Sequence, residues 1–88
     1  MAVTVKPVVH LNGAPKEQLL EQVRDAMSGI DLARTALCIA APNGRDYYPV
    51  GPTAFNEALR DHDDRQRKLR EVYEDLEVLA THLLESGS

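Results

Sequence analysis

Two long stretches with helical periodicity, parted by one segment full of helix breakers, constrain this chain more than anything else in it. From position 19 the apolar residues Leu19, Val23, Ala26, Ile30, Ala33, Leu37 and Ala40 recur at alternating spacings of four and three. That is an unbroken heptad seam, and a helix is the structure that gathers such a pattern on one side. Leu20 and Met27 widen the seam on one flank. Pro15 suits a first helical position, and Glu17 and Glu21 favour the positive end of the helix. Pro42 and Asn43-Gly44 should end it, because proline disfavours α geometry in the residue before it and glycine tolerates a C-terminal cap. Residues 42–52 then hold three prolines and two glycines. Thr53 is a suitable N-cap for a second helix, which no Pro or Gly interrupts as far as Glu85.

The second helix carries its own seam of Phe55, Leu59, His62, Leu69, Val72, Tyr73, Leu76, Leu79, Ala80 and Leu83. Between Arg60 and Lys68 the seam gives way to charge. There Arg60 and Asp64, Asp61 and Arg65, Asp63 and Arg67, and Asp64 and Lys68 all stand at i,i+4, as Arg70 and Glu74 do further on. Each such pair adds about 0.2–0.5 kcal/mol to a helix, so the stretch should stay helical without an apolar face.

The expected fold is all-α: a long antiparallel helical hairpin (about 15–41 and 53–85) with an extended N-terminal arm over 1–14 and a flexible tail at 86–88. If the loop alone sets the register, facing residues sum to about 94, which puts Gln66 opposite Ser28 and Gly29 and Leu76 opposite Leu19. The arm is β-rich at Val3, Val5, Val8 and Val9, and Pro7 confines it to an edge strand or an extended cover for the end of the second helix.

Size decides the assembly. A compact chain of 88 residues has a radius of gyration of about 12 Å, whereas helices this long reach about 40 and 48 Å. Cys38 is the single cysteine, so no internal disulfide supports the fold. Leu32, Ala36, Ile39, Val78 and Leu84 lie off the main seams and need another surface. We therefore expect a homodimer or higher oligomer, an oligomeric helical bundle.

Charge narrows the partners. The formal net charge is −4, and from Glu71 onward there is no Lys or Arg. Affinity for duplex nucleic acid comes mainly from cations on phosphates, so that class is not expected. No apolar run approaches the length of a membrane span, and a single cysteine without a secretory signal suggests a cytoplasmic setting.

The loop is the most distinctive chemistry. Tyr47, Tyr48 and Phe55, three of the four aromatics, fall beside Asn43, Gly44, Arg45 and Gly51 at the start of a long helix. Arginine offers a planar fork to phosphate or carboxylate, tyrosine offers a stacking face, and glycine allows close backbone approach. These parts suit a small anionic ligand such as a cyclic nucleotide, bound by Asn43, Gly44, Arg45, Tyr47, Tyr48 and Thr53. The plainer reading is that Asn43-Gly44 caps a helix, the tyrosines cover the end of the hairpin, and Asp31 or Asp46 pairs with Arg45.

Other residues carry less. Asp61, His62, Asp63 and Asp64 do not converge on a helix, and Leu59 stands where a Glu-x-x-His metal pattern needs glutamate. His62 reads as a seam residue that could pack with Asp31 or Arg34 across the hairpin. Cys38 reads as a small buried apolar residue, and His10 and His82 could meet where the arm covers the second helix. No nucleophile, P-loop or zinc-protease motif occurs, so no enzyme, cofactor or metal is expected.

The strings Val9-His10-Leu11-Asn12-Gly13 and Ala41-Pro42-Asn43-Gly44-Arg45-Asp46-Tyr47-Tyr48-Pro49 resemble a group of small uncharacterised proteins from tailed bacteriophages and prophages. Ala14-Pro15 departs from the Thr-Ser that precedes the first helix in such proteins and gives it a capping box. The resemblance implies a setting in the host bacterial cytosol, where small oligomeric phage proteins inhibit host defence. Some of these sequester cyclic-nucleotide signals between subunits. The expected function is thus a non-enzymatic, sequestering binding protein. The alternatives are a protein–protein interaction module, presenting the acidic stretch 71–85 or the off-seam apolar residues, and a virion structural or assembly protein.

Overall fold

The computed structural model describes residues 5–7 and 15–85. The remaining arm residues, with His10, and the tail at 86–88 lie outside the described residues. Two long helices account for most of the chain: α1, Lys16–Ile39, and α3, Ala54–Glu85. The connection between them is itself helical. It holds a single turn, α2, Gly44–Tyr47, and a 3-10 turn, Tyr48–Val50. Among the described residues there is no strand.

The helix ends follow local chemistry. Pro15 stands just outside α1, extended at φ −65° and ψ 151°, and no side chain caps that end. Its carbonyl accepts the Leu19 N–H at 3.1 Å. At the other end α1 stops at Ile39, two residues short of the expected limit. The Ala40 N–H is shared between the Ala36 and Leu37 carbonyls, both at 3.1 Å, and the Ala41 N–H turns to Cys38 at 3.3 Å. This tightening is typical of a helix terminus. Asn43 and Gly44 do not cap α1. Asn43 instead caps α2, its Oδ1 accepting the Arg45 N–H at 2.9 Å.

α1 and α3 pack along their lengths. Lys16 Nζ donates to the Leu84 carbonyl at 3.2 Å, and Gln66 Nε2 donates to Cys38 Sγ at 3.3 Å. The Arg34 guanidinium lies 5.3 Å from the centre of the Tyr73 ring. The register differs from the one expected, because Gln66 faces Cys38 rather than Ser28 and Gly29. α3 has slid roughly three turns along α1. Its C-terminal end is level with the start of α1, and the overhang falls at the connection instead. The reason lies in residues 40–53, which do not reverse at once. α2 and the 3-10 turn lie against the start of α3. The chain therefore travels along the α3 axis before turning into it.

The inward face of α1 is also rotated from the expected seam. Leu20, Val23, Met27, Ile30, Arg34 and Leu37 form the buried or half-buried line, while Ala26, Ala33 and Ala40 are exposed. Burial scales with apolar area, so Met27 stands inward in place of Ala26, and Leu20 is buried beside the half-buried Leu19. Arg34 joins the line by laying its stem inward with its charge over Tyr73. Cys38 is exposed, not buried, because this rotation turns it to the flank against Gln66.

The core is small. Leu20, Ala80 and Leu83 form it, with Leu19, Val23 and Met27 packed on them, and Leu83 is 1% exposed. Nearby, His82 Nε2 donates to the Pro7 carbonyl at 2.9 Å, which sets that part of the arm on α3. The molecule measures 62 × 21 × 17 Å, with a radius of gyration of 18.5 Å. Ile39 is 83% exposed and Leu32 74%, and Val78 and Leu84 are also open. Among the described residues no helix is long and apolar enough to cross a membrane.

The charged stretch of α3 pairs differently from the simple i,i+4 scheme. Asp64 binds Lys68 at 3.0 Å and also Arg67, and Arg67 reaches Glu71 at 3.0 Å rather than Asp63. Arg70 and Glu74 pair loosely at 3.8 Å. Arg60 does not pair with Asp64, whose two oxygens Arg67 and Lys68 already occupy, and Asp61 and Arg65 do not pair with each other.

Candidate functional site

The connection makes two separate hollows against the start of α3. The larger, about 690 Å³, is lined by Gly44, Arg45, Tyr48, Gly51, Pro52 and Phe55. Asn43 sets its geometry from behind by capping α2, which fixes the backbone of Gly44 and Arg45. Gly51 closes the other side with φ 145°, the one positive φ among the described residues, a conformation that side-chain-bearing residues rarely adopt. A Cβ at Gly44 would meet the Phe55 ring at 4.0 Å, so the two line the same wall in ordinary contact.

Phe55 is held in place by Tyr47, whose ring lies 6.5 Å away at 39°. Tyr48 is 85% exposed and presents its ring freely at the pocket mouth. The Arg45 guanidinium is in no ion pair among the described residues. Asp31 is engaged instead by Arg34, at 3.5 Å.

The six residues expected at this site therefore separate. Gly44, Arg45 and Tyr48 line the pocket together. Asn43 is a cap. Tyr47 supports Phe55 and borders the other hollow. Thr53 donates its hydroxyl to Glu57 Oε1 at 3.5 Å, while its carbonyl accepts the Glu57 N–H at 3.0 Å. Phe55, Gly51 and Pro52 complete the pocket. Their signal in the sequence was proximity alone, since a helix start at Ala54 sends Phe55 back beneath the loop.

The smaller hollow, about 380 Å³, lies between Ala40, Pro42, Tyr47 and Val50 on one side and residues 54–65 of α3 on the other. His62 is in its wall and is 5% exposed. It lies beside the end of α1 rather than beside Asp31 or Arg34, a result of the slid register. Among the described residues no group of three or more His, Cys, Asp or Glu could hold a metal. No known protein family, curated protein or solved structure matches this chain.

Proposed function

We propose that this chain is a non-enzymatic binding protein. Its helical hairpins associate into an oligomeric bundle, and the pocket of the connection captures a small anionic, ring-bearing ligand of the nucleotide type. One observation carries the reading: Arg45, Tyr48 and Phe55 meet around a single pocket of about 690 Å³. Arginine supplies a fork for phosphate, and the two rings supply flat faces for a base. The volume falls within the range of about 300–1,000 Å³ common to small-molecule sites.

Self-association is part of the proposal because the chain buries so little. Among the described residues three apolar side chains form the buried core, and Leu32 and Ile39 leave an apolar stripe open along α1. A second copy carries the same stripe, which is the condition for a symmetric interface. Capture of a different protein on this stripe or on the acidic end of α3 is the competing reading.

The test is a thermal-shift panel of linear and cyclic nucleotides. A ligand present at 100 times its Kd stabilises by about 2.7 kcal/mol. In a domain of this size that raises Tm by roughly 10–20 °C. Arg45→Ala should abolish the shift. A panel without any shift, together with a stoichiometric protein partner lost on charge reversal at Glu74 and Glu77, would replace this reading with the competing one.

A further inference from the structure

We propose that the outer face of α1 docks on the same face of a second copy, antiparallel and in one register, with Gly29 opposite the partner's Ile39 and Leu32 opposite the partner's Ala36. This pairing rests on the self-association proposed above and gives it a geometry. α1 carries a second heptad line besides the one that packs on α3. Gln18, Gln22 and Asp25 begin it and Gly29, Leu32, Ala36 and Ile39 continue it, at alternating steps of four and three, and every one of them is exposed. The first half of the line is polar. The second half is apolar, with Leu32 74% and Ile39 83% exposed.

Two observations say that a second chain covers this half. The first is area. A folded monomer of 9.8 kDa exposes about 5,200 Å². This chain exposes 6572 Å². The excess of about 1,400 Å² is more than the roughly 800 Å² that each partner gives to a stable interface. The second is Gly29. Glycine weakens a helix interior, yet a Cβ at Gly29 would meet nothing within 4 Å. The packing of one chain therefore gives no reason for a glycine at this point, whereas a large side chain from a second copy does.

Size and charge then select the register. With the two-fold axis level with Arg34, each large side chain of the line meets a small one, Ile39 on Gly29 and Leu32 on Ala36, and facing layers interdigitate best in this way. Asp25 comes level with the partner's Asn43, past the end of α1, so no acid is buried. Sliding one heptad step toward the N-terminus sets Asp25 on Ala36 and Gln22 on Ile39, which buries an unpaired carboxylate. Sliding the other way leaves Leu32 beyond the end of the partner's α1. A parallel pair sets Asp25 against Asp25 and Leu32 against Leu32. The same patch thus serves both copies, as a two-fold interface requires.

Sedimentation equilibrium of the full chain, with no nucleotide present, tests the pairing. Gly29→Leu fills the seat of Ile39 and should weaken the dimer by at least roughly tenfold, while helicity by circular dichroism holds or rises. Ala36→Leu should weaken it similarly. Leu32→Ala combined with Ala36→Leu exchanges the facing sizes and should recover most of that loss. Spin labels on Gln22→Cys, in a Cys38→Ser background, read the direction. In this register the two labels stand about 36 Å apart along the helix axes, against about 10 Å in a parallel pair. A dimer with the short distance, one that Gly29→Leu leaves unchanged, or one that the size exchange does not restore overturns this pairing and leaves self-association standing. A chain that stays monomeric at hundreds of micromolar overturns both. Nucleotide capture by the Arg45 pocket is decided by its own titration in either case.

Discussion

Replacing Leu83 with alanine should come close to unfolding this protein. Among the described residues Leu83 is the most completely buried side chain, enclosed with Leu20 and Ala80 and flanked by Leu19, Val23 and Met27. Truncating a leucine at such a site costs about 3–5 kcal/mol, the sum of lost transfer energy and the cavity left behind. A core in a chain this short supplies only about 3–5 kcal/mol in total. The loss therefore approaches the whole stability of an isolated chain. At about 4–8 °C per kcal/mol, Tm should fall by at least roughly 12 °C. Leu32→Ala is the matched control, because Leu32 is 74% exposed. In a monomer that change should stay within about 0.5 kcal/mol. If a second copy covers α1, the change removes burial worth about 1.5–3 kcal/mol and lowers a concentration-dependent Tm. Thermal melts by circular dichroism across a range of protein concentrations read both variants. A fall below about 4 °C for Leu83→Ala would refute the assignment of the core to this end of the helix pair.

Three further outcomes follow from particular residues. Gly51→Ala should lower stability by about 1 kcal/mol or more in a denaturant titration, because alanine resists a φ of 145°. Asn43→Ala should cost about 0.5–2 kcal/mol through the lost cap on Arg45, and by loosening α2 it should also weaken any ligand of the Arg45 pocket, read by calorimetry. Hydrogen bonds from Arg67 and Lys68 hold the Asp64 carboxyl below its ordinary value of 3.8. Its contribution to stability is therefore complete above 3.8 and is lost as pH falls through the lowered folded value. Carboxyl NMR should show Asp64 titrating below 3.8, and Arg67→Ala should move it back up.

The helices were legible because their signals are long and redundant. An unbroken periodicity over two dozen residues and breakers confined to one segment leave little choice of element. The phase of α1 was not legible, since a seam of Ala26 and Ala33 and one of Leu20 and Met27 are both helical, and only contact area separates them. The register failed for a different reason. It treated residues 42–52 as a slack turn, whereas Asn43 caps one short helical turn and Pro49 lies in another, and these turns advance the chain along α3. That error carried His62 and Cys38 to the wrong neighbours. At the site, the gathering of Arg45, Tyr48 and Phe55 followed from closeness in sequence. The placing of Asn43, Tyr47 and Thr53 outside the wall of that pocket goes with hydrogen bonds and ring contacts that spacing alone does not specify.

The pocket of the connection is the centre of this account, and isothermal titration of mononucleotides and cyclic nucleotides into the intact protein tests it most directly. At least one nucleotide should bind saturably, with loss of affinity in Arg45→Ala and a weaker loss in Tyr48→Ala. Heats that do not saturate for any nucleotide, or binding that Arg45→Ala leaves unchanged, would contradict it.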